Sequence, residues 1–225
     1  MTTYNLTVKI DDLILQSGSK DSLCIAKRVN GHYNVIFQNA SPVPIGKQKM
    51  LIGNNEFSWQ DKYQVFLTTN YGVGALVQQS TNPVDIKFGQ SSLFKDSQLE
   101  AAVTADTSEW DTGSGSGQDS TFAVESCPAS LHTGVRASTG GGDWSTIYVD
   151  PDVHMTTSRI ELTPQNQYII FWKKITTTEA IIAISTSKGF EWNFPQGKTA
   201  KTLRFGFAVP NKQSSQLEEA KWYEM

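Results

Sequence analysis

The sequence predicts an all-β fold, an antiparallel β-sandwich with residues 1–225 as a single domain. Three observations predict it. Apolar and polar residues alternate with a period of two along much of the chain, the pattern of strands with one buried face. Tight-turn pairs, Asn30-Gly31 the clearest, punctuate these segments. Charged residues make up only 18% and aromatic residues 11%, which excludes a charge-rich disordered chain and a coiled coil. At 225 residues the chain can bury roughly 70% of its unfolded surface, so it needs neither disulfide nor metal to fold.

Tyr4, Leu6, Val8 and Ile10 alternate with polar residues and predict a half-buried first strand. Residues 23–29 predict a second. Asn30-Gly31 then turns the chain back through 33–37 to make a hairpin. Pro42 and Pro44 end that run, and Gly53-Asn54-Asn55 marks another turn. Strands are predicted at 57–59, 63–67 and 75–79, with Ile86-Lys87-Phe88 leading into Gly89. Further strands are predicted at 145–149, 159–162 and 168–172. Residues 180–184 are short and apolar, and fit strand or helix. Phe190, Trp192 and Phe194 alternate with polar residues and predict one core-facing stripe, as do Leu203, Phe205 and Phe207. A capped helix fits only 214–222, with Ser215 as cap and Glu218 three residues on.

The centre differs. Residues 104–119 are rich in Gly, Ser, Thr and Asp and predict a long loop, read either as a linker or as a mobile binding loop. Two short likenesses share one offset: Tyr63-Gln64-Val65-Phe66 with Tyr168-Ile169-Ile170-Phe171, and 77–82 with 182–187. They raise a second organisation, two related halves at 1–103 and 120–225 packed on either side of that loop.

A net charge of −3, with no concentrated basic run, argues against nucleic acid as a partner. Lys173-Lys174 and Lys47-Gln48-Lys49 are too small for that purpose. Cys24 and Cys127 stand among apolar or small residues and read as free buried thiols, with a disulfide between them as the alternative. The opening MTTYNLTVKIDD has neither a basic nor an apolar targeting region, and no apolar run is long enough for a transmembrane helix. A cytoplasmic protein is expected, with leaderless export left open. No motif calls for an organic cofactor, and association of like chains stays open.

Five residues suit a ligand site. Trp110-Asp111 and Asp143-Trp144 place a ring beside a carboxylate in loop sequence, and Asp150 follows. A sugar offers weakly positive C–H faces to such rings and hydroxyls to such acceptors. The expected site therefore lies in loops 106–119 and 132–154, its ligand a glycan or another polar small molecule, and the expected function is lectin-like binding without catalysis. An alternative is a cofactor-independent enzyme, of lyase, isomerase or cyclase type, acting within a β-scaffold cavity. Asp150, Asp152 and His154 alternate, so an extended backbone would project them to one side. With His132 they could supply acid–base groups, or Asp150, Asp152 and His154 could ligate a divalent metal. Against this, Asp150-Pro151-Asp152 also reads as a plain turn. A third alternative is a membrane-acting, cytolysin-like protein that would present Phe190, Trp192 and Phe194 to lipid. The glycine run 140–142 lacks the lysine and helix of a phosphate loop.

Overall fold

The computed structural model describes residues 2–106, 120–155, 158–174, 176–183, 189–214 and 218–225. Among these, the chain forms strands and a single five-residue helix. In order they are β1 (Thr3–Ile10), α1 (Asp12–Gln16), β2 (Asp21–Val29), β3 (Gln38–Ser41), β4 (Lys49–Met50), β5 (Asn54–Thr68), β6 (Val84–Ile86), β7 (Gln90–Lys95), β8 (Gln98–Leu99) and β9 (Val103–Thr104). There follow β10 (Phe122–Glu125), β11 (His132–Gly140), β12 (Asp143–Val149), β13 (Arg159–Leu162), β14 (Pro164–Lys174), β15 (Phe190–Trp192), β16 (Ala200–Gly206) and β17 (Lys221–Glu224).

The predicted all-β sandwich-like class is what the chain adopts, with sheets that mix strand directions. One sheet runs β12-β11-β5-β1-β16-β17, with β6 also paired to β5. A second runs β15-β14-β2-β3-β4, and a third β13-β10-β7-β8 with β9 beside β7. Most pairs are antiparallel, but β1–β16, β7–β10 and β3–β4 are parallel. The first two sheets each draw strands from both sides of the 104–119 segment.

One apolar cluster spans the three sheets. At its centre Trp59 of β5 is fully buried. Its ring lies 5.1 Å from Tyr168, 5.6 Å from Phe37, 5.8 Å from Phe194 and 6.3 Å from Trp192. Each such burial contributes about 1.5–3 kcal/mol, and tilted or edge-on ring pairs add about 0.5–1.5 kcal/mol beyond that. The predicted stripe is thus core: Trp192 and Phe194 are buried, and Phe190 packs against the cluster from its edge. Cys24 and Cys127 are free and buried, as expected.

Three local expectations shift. The segments predicted at 57–59 and 63–67 are parts of one strand, β5, which crosses the whole sheet. Past the Asn30-Gly31 turn, residues 34–36 leave β2 and bond instead to 179–182: Ile36 N–H donates to the Ala180 carbonyl (3.0 Å) and Ile182 N–H to that of Asn34 (2.8 Å). The chain regains β2 at Phe37, whose N–H donates to the Ile25 carbonyl (2.8 Å), and continues beside it as β3. Residues 74–77 bond to the other side of 179–182, with Gly74 N–H on the Ile181 carbonyl at 2.8 Å. The predicted helix is also replaced in part, because 221–224 form β17 on the edge of β16. There Trp222 packs 4.9 Å from Phe205. Pairing along a sheet edge and burying an indole outweigh the weak capping signal.

β11, which the apolar pattern did not mark, is central. Its buried positions include Thr133, Gly134, Ala137 and Ser138, small or polar residues that carry no period-two signal. Gly134 admits the Phe66 ring: a Cβ there would lie 2.2 Å from Phe66 Cζ. Gly134→Ala is expected to lower the melting temperature by roughly 5 °C or more, read by circular dichroism. A parent-like melt would show that β11 and β5 can part without cost.

Candidate functional site

β11 and β12 form a hairpin whose turn, Gly140–Gly142, has φ of 92°, 62° and 91°. Only glycine takes three such angles in succession without strain. The register slips at 135/136 and again at 138/140, so Ser138 faces Trp144 and Gly140 faces Asp143. Such bulges re-aim side chains at a strand end. They bring Asp143 and Trp144 to the rim of a cavity of about 310 Å³.

Its other walls come from further segments: Gln38 and Asn39 of β3, Lys47 just before β4, Lys49 of β4, Ser58 of β5, and Ser145 and Thr178. The two amides are buried and fixed. Gln38 Nε2 donates to the Ser58 carbonyl (3.1 Å). Asn39 Nδ2 donates to the Thr176 carbonyl (3.3 Å), and Asn39 Oδ1 accepts from the Thr178 hydroxyl (2.7 Å). Gln38 Oε1 accepts no hydrogen bond from the described residues. Trp144 is half-buried, and Lys62 Nζ stands 5.0 Å from its ring centroid. Lys47 Nζ donates to the Trp144 carbonyl at 3.5 Å. Burial holds the Lys49 ammonium below its ordinary pKa of 10.5, against the opposing pull of Glu56. Two fixed amides, two ammonium groups and a carboxylate beside one half-buried ring can orient a polyhydroxylated ligand.

The second predicted constellation lies at the other end of β12, and only Asp150, His154 and His132 of it come together there. The seven residues of that strand separate Asp143 from Asp150 by roughly 20 Å. Asp150 is buried, and its carboxylate accepts from His154 Nε2 at 2.9 Å. His132 Nδ1 lies 2.9 Å from the Asp150 carbonyl, and Tyr71 packs 5.3 Å from the His132 ring. Asp152 contributes its backbone N–H to Asp150 Oδ1 at 3.1 Å, the bond of an Asx turn. No three His, Cys, Asp or Glu among the described residues are grouped to hold a metal. Cys127 nearby has its thiol pushed up to about 11, by burial first and then by Asp150, which suits an inert core thiol. The half-exposed His154 against a buried carboxylate is a pair able to move a proton.

Trp110 and Asp111, the other expected ligand contacts, lie outside the described residues. Gln38, Asn39, Lys47 and Lys49 carry no local sequence signal, because the β2–β3 and β3–β4 pairings, not any motif, bring them to the cavity. No family model, curated protein or solved structure matches this chain. No helix among the described residues is long and apolar enough to cross a membrane.

Proposed function

We propose that the protein is a lectin-like carbohydrate-binding protein whose site is the cavity rimmed by Asp143 and Trp144. The observation that carries this reading is one half-buried indole lining the same cavity as two buried, hydrogen-bonded amides, Gln38 and Asn39. Lys62 Nζ stands 5.0 Å from the centroid of that ring, so the ring already attracts a positive partner, the property by which a sugar C–H face is held. Asp143 accepts hydroxyl hydrogens at the rim, and Gln38 Oε1 accepts one at the floor. Asp150, at the far end of β12, positions the neighbouring turn and does not reach this ligand.

A glycan array followed by calorimetric titration tests it. Trp144→Ala is expected to weaken binding by roughly 30-fold, as loss of a central aromatic contact does, while leaving the melting temperature near that of the parent. Absence of glycan binding by the parent protein overturns the reading; an unchanged affinity in the variant removes Trp144 from the site.

The His154–Asp150 contact favours a second reading, a cofactor-independent enzyme with His154 as its acid–base group. Under it, His154→Gln lowers turnover by about a hundredfold or more. Turnover indifferent to both His154→Gln and His132→Gln would remove that role.

A further inference from the structure

On the outer side of the second sheet, beside the 179–182 segment, lies another cavity of about 480 Å³. It shares no lining residue with the Trp144 cavity. Its apolar lining includes Val43, Ile45, Leu76 and Ile182. Three of these apolar residues stand in water: Val43 is 71% exposed, Ile45 61% and Leu76 49%. Val73 beside them is 66% exposed. So many exposed branched side chains around one hollow mark a surface that something covers.

The charge around the hollow says what. Two lysines, Lys20 and Lys173, line it, and among the described residues no carboxylate does. The chain as a whole carries a net charge of −3, whereas the ionisable side chains described in this lining are both cations. Among the described residues, neither ammonium is engaged in an ion pair. Thr176 and Thr177 add hydroxyl donors at the same wall. A ligand that satisfies both halves is apolar along its body and anionic at one end. The volume is that of a small-molecule site, ordinarily about 300–1,000 Å³.

We propose that this cavity binds a single-chain anionic amphiphile, of the fatty-acid type. The chain lies on Val43, Ile45, Leu76 and Ile182, and the carboxylate is held by Lys20 and Lys173. Low-dielectric walls strengthen that attraction relative to water. The site is independent of glycan binding, and neither proposal requires the other.

The test is calorimetric titration of the full chain with dodecanoate below its micelle concentration, beside dodecyltrimethylammonium, which has the same chain and the opposite charge. Dodecanoate is expected to saturate at one per chain and to bind at least roughly tenfold more tightly than the cation. Lys20→Glu and Ile45→Asp are both at exposed positions, so they leave the fold intact, which thermal melts check. Each is expected to weaken dodecanoate roughly tenfold or more. Failure of dodecanoate to saturate, equal affinity for the cation, or parent-like binding by both variants overturns the proposal. So does binding to phosphatidylglycerol vesicles without binding of the monomeric amphiphile, which would reassign the face to a lipid surface.

Discussion

Gly206→Ala is expected to destabilise the protein by about 3–5 kcal/mol, read from urea unfolding. A Cβ at 206 would lie 2.1 Å from both Cγ and Oδ2 of Asp11, closer than any such contact can be, so the carboxylate must leave its place. That place is heavily used. Arg204 Nε donates to Asp11 Oδ1 and Nη2 to Oδ2, each at 2.9 Å. The N–H groups of Phe207 and Asn211 also donate to Oδ2, at 3.1 and 3.0 Å. Arg204 is 9% exposed, so an evicted Asp11 leaves a guanidinium buried without its counter-ion. Asp11→Asn keeps the shape, removes the charge and is expected to act in the same direction. A urea midpoint unchanged in both variants would show that this fork contributes nothing.

The same fork sets an acid limit. The Arg204 guanidinium, assisted by the two backbone donors, holds the Asp11 carboxyl below its ordinary 3.8. A depressed carboxylate stabilises the fold fully above its unfolded value, about 3.9, and the contribution is lost as pH falls through the lower folded value. Parent stability should therefore fall on that acid limb, and Asp11→Asn should flatten it.

The second large effect is an asymmetry at Lys27. Its side chain is 3% exposed, and Nζ lies 3.6 Å from Asp61 Oδ1. It donates to the Tyr168 hydroxyl at 3.2 Å and stands 5.4 and 5.2 Å from the Tyr63 and Tyr168 ring centroids. Burial favours the neutral amine, but the oxygens of Tyr168, Tyr63 and Asp61 outweigh it and hold the pKa above its ordinary value. Asp61, 30% exposed, is steadied by the hydroxyls of Tyr4 and Tyr63, both at 2.9 Å. Asp61→Asn strands a buried cation and is expected to cost about 2–3 kcal/mol, less than for a fully buried partner. Lys27→Met leaves only a part-exposed carboxylate with two donors of its own, and should cost about 1 kcal/mol or less. Urea unfolding of the two variants and their double mutant decides it. A Lys27→Met cost exceeding that of Asp61→Asn would mean that Lys27 acts through its contacts with the rings rather than through its charge.

The strands legible in the sequence are those with a one-sided apolar face: Leu6, Val8 and Ile10 of β1, or Phe57 and Trp59 of β5. β11 was illegible for the opposite reason. It is buried between β5 and β12, and where backbones and rings approach closely the buried positions are Gly134, Ala137 and Ser138 rather than large apolar residues. The strand β17 at 221–224 depends on an edge of β16 that no local window contains. At the site, the Asp143-Trp144 pair and the Asp150/His154 spacing could be read from adjacent residues. The amides of Gln38 and Asn39 could not, since register between distant strands places them. Closeness in the sequence put Asp143 and Asp150 in one expected site, whereas the length of β12 sets them at its two ends.

The parallel pairing of β1 with β16, from Asn5↔Ala200 to Ile10↔Phe205, has a consequence during synthesis. At about 5–20 residues per second, β1 waits roughly 10–40 s for its neighbour to leave the ribosome. Through that interval β1 can zip onto β5, but its other edge, with Leu6, Val8 and Ile10 along it, stays an open template for a stray strand. The sheet becomes safe only when one of its last strands arrives, so a stalled or truncated nascent chain is the form of this protein most exposed to aggregation and most in need of a chaperone.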